Sequence, residues 1–80
     1  MKGNRKNSKE LKIGEIFKFN MYCPAGFLVL KVQYFEEEIP WCLVIEDFYE
    51  EEAKDEYDEE DRYKIGDIFP YSYTYVDVSE

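Results

Sequence analysis

The chain has 80 residues, 45% of them hydrophobic and 19% aromatic, so it is long enough for one small folded domain and too apolar to be disordered. Its formal net charge of −9 argues against direct binding to nucleic acid or to an anionic membrane and favours a basic partner. Histidine is missing from the sequence, which removes the usual general base at neutral pH and the commonest metal ligand. We therefore expect a protein that is not an enzyme and that uses no cofactor and no metal.

The first twelve residues are basic. Residues 1–12 carry a side-chain net charge of +4, which leaves −13 on residues 13–80. Because chain ends are usually loose, we predict a flexible basic N-terminal arm over residues 1–12 and a single small β-rich domain over residues 13–80. The alternative is that this arm touches the acidic segment described below, within one molecule or across a dimer.

Alternating polar and apolar residues predict strands in the first half of the domain. One predicted strand places Phe17, Phe19 and Met21 on a common face, and the next does the same for Leu28, Leu30, Val32 and Tyr34. Residues 23–26 predict a turn, and residues 36–40 predict a hairpin loop or an edge. The continuous apolar run over residues 41–45 is typical of a central strand that is covered on both faces.

Residues 64–72, KIGDIFPYS, repeat residues 12–20, KIGEIFKFN, with five of nine positions identical. We interpret the repeat as one local device used twice: a glycine at a turn or bulge, an acid after it, and a strand that begins with Ile-Phe. Further along, Phe69, Tyr71, Tyr73 and Tyr75 alternate with other residues and predict a two-faced strand. These tyrosines are expected in the core or, alternatively, on a protein-contact face.

Residues 46–61, EDFYEEEAKDEYDEED, form an acidic segment in which eleven of sixteen residues are Asp or Glu and Lys54 is the only cation. The spacing of Tyr49, Ala53 and Tyr57 predicts a helix docked on the sheet, and an unstructured loop is the alternative. In such a helix each like-charged i,i+4 pair costs about 0.2–0.5 kcal/mol. The segment therefore indicates a role other than stability.

Catalytic and metal-binding patterns are missing from the sequence. A calcium loop that begins at Asp55 would need an acid at Tyr57 and a glycine at Glu60, so only weak, non-specific divalent binding is left open. Cys23 and Cys42 lack the spacing of a redox or metal motif and are expected to be reduced and at least partly buried. With no signal-peptide pattern and no long apolar run, we expect a cytoplasmic protein that contacts no membrane.

The K-I-G-[DE]-I-F openings resemble the first strand of many small SH3-like barrels. This resemblance implies a mainly β (α+β) fold: a small, strongly bent antiparallel sheet or SH3-like half-barrel of about five strands, with a short acidic helix or loop. An SH3-like adaptor that uses its aromatic strand faces to bind a protein, with the acidic run serving only solubility, is one functional alternative.

Through EEEAKDEYDEED and its overall charge, the chain also resembles in type the small acidic host-takeover proteins of lytic bacteriophages, several of which are DNA mimics. The resemblance implies an inhibitor that acts in the host cytoplasm and blocks the DNA-binding surface of a basic host protein. A histone-like nucleoid-associated protein is the first choice, and RNA polymerase or a restriction or CRISPR nuclease are alternatives. A phage structural or assembly protein is a third hypothesis.

The partner-binding residues expected under this hypothesis are all carboxylates, drawn from two stretches of the chain. They are Glu36, Glu37, Glu38, Glu46, Asp47, Glu50, Glu51, Glu52, Asp55, Glu56, Asp58, Glu59, Glu60 and Asp61. Carboxylates on a helix or strand can follow the spacing of phosphates. Helix positions i and i+4 are separated by a rise of about 6 Å, which is close to two phosphate steps of about 3.4 Å along one DNA strand. Exposed sheet edges could in addition pair two copies into a homodimer.

Overall fold

The computed structural model describes residues 5–22 and 25–77, and these residues are mainly strand. The elements in chain order are β1 (Arg5–Asn7), a 3-10 turn (Ser8–Glu10), β2 (Ile16–Tyr22), β3 (Ala25–Glu36), β4 (Ile39–Tyr49), α1 (Glu51–Glu56), a second 3-10 turn (Glu59–Asp61), β5 (Ile68–Pro70) and β6 (Tyr75–Asp77). Strands β2, β3, β4 and β5 form an antiparallel sheet in that order, and β1 pairs with β6. The predicted small antiparallel sheet with a short acidic helix is confirmed.

The β3–β4 hairpin is the longest unit of the sheet, and two bulges bend it. Gln33 has no partner between the pairs that Val32 and Tyr34 make with β4, and Ile45 is likewise skipped on β4. Each extra residue reverses which side chains face the core. Tyr34 therefore leaves the face it was predicted to share with Val32 and is 44% exposed, so that part of the prediction is wrong.

The two sequence repeats fold into the same turn. Gly14 and Gly66 adopt φ angles of 94° and 101°, which only glycine reaches without strain. In the first copy the Lys12 N–H donates to the Glu15 carboxylate at 2.9 Å, and the matching bond in the second copy, from Lys64 to Asp67, is 2.8 Å long. The interpretation of the repeat as one local device used twice agrees with this geometry.

Each repeat attaches to the central hairpin by the same pair of backbone hydrogen bonds. Val32 accepts from Gly14 at 2.8 Å and donates to Glu15 at 2.9 Å. In the second copy, Val44 accepts from Gly66 at 2.9 Å and donates to Asp67 at 2.9 Å. Because Val32 lies on β3 and Val44 on β4, the two halves of the sheet are related by an approximate internal two-fold symmetry.

The core lies on one side of the sheet, which we call the inner face. The predicted inward residues Phe17, Leu28, Leu30 and Val32 are buried there, with Phe19 and Met21 packed against them. Leu11, Ala53 and Val76 reach this core from outside the four-stranded sheet. Burying these side chains removes roughly 1.5–3 kcal/mol of unfavourable hydration for each large aliphatic residue.

Residues 5–12 pack against the body, whereas we predicted a flexible arm over residues 1–12. The Ser8 N–H donates to the Thr74 carbonyl oxygen at 2.8 Å, and Leu11 is only 3% exposed. A buried leucine in the middle of a basic stretch anchors that stretch to the core. Residues 1–4 lie outside the described residues, as do Cys23 and Pro24 of the predicted turn.

Two further strand predictions need correction. On β4, Cys42 and Val44 are buried, but Trp41 and Leu43 are half-exposed, so the strand is covered on one face rather than on both. The predicted strand that continues to Tyr75 is interrupted between β5 and β6. Pro70 ends β5, in keeping with its missing N–H group.

Candidate functional site

The acidic segment occupies the connection between β4 and β5. Glu46 and Asp47 lie at the end of β4, and the following acids lie on α1, on the second 3-10 turn and between them. All fourteen predicted partner-binding carboxylates, from Glu36 to Glu38 and from Glu46 to Asp61, belong to exposed residues. The folded chain thus offers every one of them to solvent.

Three contacts hold the acidic segment to the sheet. The Glu50 N–H donates to the Ala25 carbonyl oxygen at 3.0 Å, and Ala53 is 3% exposed within the core. The Tyr49 hydroxyl donates to the Tyr63 carbonyl oxygen at 2.8 Å. Burial, with the Asp47 carboxylate nearby, raises the pKa of Tyr49, so its hydroxyl remains a proton donor at neutral pH.

The helix is shorter than the predicted apolar stripe. Tyr49 and Ala53 are buried as expected, but α1 ends at Glu56 and Tyr57 is half-buried beyond it. Its six residues contain the like-charged pairs Glu51/Asp55 and Glu52/Glu56. A longer helix would also pair Asp55 with Glu59 and Glu56 with Glu60, but these pairs reach past the end of α1. The segment is therefore partly helix and partly turn.

The carboxylates of residues 46–61 have no cationic partner within 4 Å among the described side chains. The ion pairs found there are Lys6 with Glu15 at 2.9 Å and Lys9 with Glu38 at 3.2 Å. Arg62, next to the segment, lies instead over the Tyr49 ring at 5.2 Å. The negative charge of the segment is therefore left uncompensated by the fold.

The second acidic patch, Glu36 to Glu38, lies at the opposite end of the β3–β4 hairpin. Glu37 and Glu38 form its two-residue turn with φ angles of 54° and 71°, a left-handed conformation that normally selects Asn-Gly. Eleven residues of β4 separate this turn from Glu50, which corresponds to about 35 Å of strand. The two patches are therefore separate ends of one surface and not a single cluster.

An aromatic groove that the sequence did not predict as a unit lies beside the inner face. It has a volume of about 520 Å³ and is lined mainly by Phe19, Met21, Tyr22, Tyr63, Phe69 and Tyr73. Tyr22 is 92% exposed, and Tyr63 and Phe69 stack with 4.3 Å between their ring centroids. The alternation of residues 69–75 predicted that Phe69 and Tyr73 share a face, which forms one wall of the groove. The positions of Tyr22 and Tyr63 beside that wall follow only from the fold.

Cys42 and the acids show no sign of a catalytic or metal centre in the described part of the chain. Burial raises the pKa of the Cys42 thiol to about 11, which leaves it protonated and unreactive at neutral pH. Residues 5–22 and 25–77 contain no group of three or more potential ligands placed to hold a metal ion. Nor do they contain a helix with the length and apolar character needed to cross a membrane.

Comparison of the chain with protein-family models, with curated proteins and with solved structures found no match. The functional argument therefore depends on the residues themselves and on their arrangement.

Proposed function

We propose that this protein is a DNA mimic that inhibits a basic nucleic-acid-binding protein by occupying its DNA-binding surface. The observation that carries the proposal is the exposure of fourteen carboxylates, eleven of them in a segment with no cationic partner among the described side chains. A basic DNA-binding surface would exchange its counterions for this folded polyanion, as it does for phosphates.

The spacing of the carboxylates supports the mimicry. Glu52 and Glu56 are one helical turn apart and rise by about 6 Å, close to two phosphate steps of about 3.4 Å along one strand. The hairpin turn adds Glu37 and Glu38 about 35 Å away along the strand, a distance that corresponds to roughly ten base pairs. The two ends could therefore reach separate basic regions of one partner.

A histone-like nucleoid-associated protein in the cytoplasm of a bacterial host is our first choice of partner. Such proteins are small and basic, and they bind DNA mainly through its backbone and deformability, so a polyanion can replace the DNA without base contacts. RNA polymerase and restriction or CRISPR nucleases are alternatives that present basic channels of the same kind.

A competition assay at two salt concentrations tests this function. The histone-like protein is bound to labelled duplex DNA, and this protein is titrated at about 50 mM and about 200 mM salt. We expect displacement at the lower salt that weakens by orders of magnitude at the higher salt. No displacement at either salt would remove this target.

Two charge-removing variants, one at each end of the hairpin, then map the contact. Amide substitution of the four α1 acids (Glu51→Gln, Glu52→Gln, Asp55→Asn and Glu56→Gln) is expected to abolish displacement. Removing two charges at the other end of the hairpin, with Glu37→Gln and Glu38→Gln, is expected to weaken it less. Undiminished displacement by the α1 variant would contradict the mimicry.

A second candidate function, an adaptor that binds a protein through aromatic side chains, is favoured by the groove around Tyr22 and Tyr73. Tyrosine is enriched at protein interfaces, and a tyrosine that is 92% exposed contributes little to the core. Binding of this kind would depend weakly on salt. It would be lost in Tyr73→Ala and retained in the α1 amide variant, which is the reverse of the outcome for a DNA mimic.

A further inference from the structure

The side of the sheet opposite the core, which we call the outer face, is lined mainly by apolar and aromatic side chains, with Lys18, Asn20 and Lys31 among them. Strand register places one row of side chains across all four strands, from Ile16 through Lys31 and Leu43 to Ile68. Stacked rings lie on either side of this row: Tyr34 with Trp41 at 5.9 Å, and Phe27 with Phe48 at 5.2 Å. None of these residues belongs to the buried core cluster.

Much of this apolar surface is exposed. Ile16 and Ile68 are 55% and 49% exposed, and the isoleucines at the tips of the two repeat turns, Ile13 and Ile65, are 68% and 63% exposed. Contiguous apolar patches larger than a few hundred Å² are rare on monomers and mark contact sites. The outer face is therefore a contact surface, and we expect a second layer to cover it.

Two independent observations indicate that the outer face is normally covered. The uninterrupted apolar run over residues 41–45 is typical of a strand packed on both sides, yet Trp41 and Leu43 are half-exposed. In addition, Leu11, Ala53 and Val76, the core residues that come from outside the sheet, all pack on the inner face. The described part of the chain supplies nothing to cover the other side.

We infer that a second copy of this chain covers the outer face and forms a face-to-face homodimer. The internal symmetry of the sheet makes the surface self-complementary. A two-fold axis that runs along the strands between β3 and β4 would place Ile16 of one copy on Ile68 of the other, since these residues end the same row on opposite edges.

Charge and area fit this arrangement. The axis sets Lys31 against Leu43 of the second copy rather than against another Lys31, so the aliphatic part of the lysine can pack while its ammonium reaches solvent. The body is 36 × 33 Å across and only 17 Å thick, so its broad outer face is large enough for the roughly 800 Å² per partner of stable interfaces. The acidic segment from Glu50 onward lies beyond the end of this face.

The homodimer does not depend on the proposed function, and the two have opposite expected responses to added salt. Dimerisation is driven by apolar burial between two chains of net charge −9, so added salt should strengthen it by screening their repulsion. Binding of a basic partner should weaken under the same change. If dimerisation is not observed, the partner-binding result can still be interpreted, and the reverse is also true.

Sedimentation velocity over about 1 to 300 µM protein tests the dimer, because an oligomer dissociates on dilution. We expect dimerisation in the wild type and at least tenfold weaker dimerisation in Ile16→Glu and in Ile68→Glu. The double variant Ile16→Lys with Ile68→Glu should recover part of the loss, because the two positions face each other across the axis. Tyr73→Glu, a charge added next to Phe19 and Tyr71 on the inner side of the sheet, should leave dimerisation unchanged.

A second measurement uses the unaltered protein, so that misfolding of a variant cannot decide the result. A paramagnetic cosolute in NMR should broaden the signals of the exposed Tyr73 at every concentration but spare the Ile16 and Ile68 methyl groups once the dimer forms. A wild type that stays monomeric throughout the range would overturn the inference. So would a dimer that persists in both isoleucine variants or keeps those methyl groups accessible.

Discussion

The Lys6 ammonium lies 2.9 Å from the Glu15 carboxylate and joins β1 to the first repeat turn. The same carboxylate accepts the Lys12 N–H of its own turn. Glu15 therefore links the N-terminal strand to the sheet. In the second repeat, Asp67 makes the equivalent turn hydrogen bond with no lysine at this distance among the described side chains.

The first prediction concerns the pH dependence of this link. The hydrogen bond from Lys6, followed by that from Lys12, holds the pKa of Glu15 below its usual value of 4.5. Because the folded-state pKa is lower than the unfolded one, the carboxylate stabilises the fold above the unfolded pKa, and this contribution is lost as pH falls through the folded value. Urea unfolding at several pH values should show it.

The test compares Glu15→Gln with Asp67→Asn, since both amides can still accept the turn hydrogen bond. At pH 7 we expect Glu15→Gln to lose about 0.2–1 kcal/mol more stability than Asp67→Asn, the range of a partly exposed ion pair. The difference should shrink as pH falls through the lowered folded-state pKa of Glu15. Equal losses at pH 7 would show that Lys6 adds nothing.

The second prediction concerns the turn at Glu37 and Glu38. Both residues have left-handed φ angles, which cost a non-glycine residue about 1 kcal/mol or more. Replacing them with Asn-Gly should raise the free energy of unfolding by about 1–2 kcal/mol, since that pair prefers this turn. Glu37→Gln with Glu38→Gln, which removes the charges and keeps the strain, serves as control and should gain much less.

The third prediction concerns the stability of the four-amide α1 variant. Its helix contains two like-charged pairs, each of which costs about 0.2–0.5 kcal/mol at low salt. The variant should therefore be as stable as the wild type or slightly more stable in thermal unfolding at low salt, and the gain should shrink as salt is added. A clear loss of stability would mean that these carboxylates have structural partners.

The fourth prediction concerns the hydrogen bond from Tyr49 to Tyr63. Tyr49→Phe removes the hydroxyl and leaves the part-buried Tyr63 carbonyl oxygen short of a donor, so we expect a loss of about 0.5–1.5 kcal/mol. Hydrogen exchange should accelerate chiefly over residues 50–63. Tyr63→Phe is the control, because Tyr63 accepts through its backbone oxygen and should keep the bond. Uniform acceleration across the sheet would contradict a local role.

The fifth prediction concerns Cys42. Burial raises the pKa of this thiol to about 11 from an ordinary 9.0, so a maleimide at pH 7.5 should label it only after unfolding when Cys23→Ser is the background. The raised pKa means that its stabilising contribution is present below pH 9 and is lost as pH rises through about 11. Rapid labelling of the folded protein would contradict the burial of Cys42.

Much of the fold could be predicted from local patterns. The inward positions of Phe17, Leu28 and Val32 follow from alternation, and the two repeat turns follow from a glycine two residues after a lysine. The bulges at Gln33 and Ile45 could not, because no residue type there marks an extra position. They arise from the bending of the whole hairpin around its core.

The candidate site divides in the same way. The exposure of the acids could be predicted because dense like charge avoids burial. The end of the helix before Tyr57 could not be predicted from the stripe alone, since contacts on both sides of the segment decide where it leaves the sheet. The groove, too, depends on Tyr22 and Tyr63, which are 41 positions apart in sequence and meet only through the order of the strands.

The acidic connection leaves the sheet at Tyr49 and is fixed again at Tyr63, so its two ends are held by contacts that use none of its carboxylates. The free energy of closing such a loop changes by only about 0.6 kcal/mol when its length doubles. The exposed residues 58–61 can therefore be lengthened, shortened or recoded with little effect on the sheet, whereas Ala53 keeps the first half of the connection in the core. The scaffold can accept new recognition sequences there, which makes it suited both to rapid divergence against changing partners and to laboratory grafting.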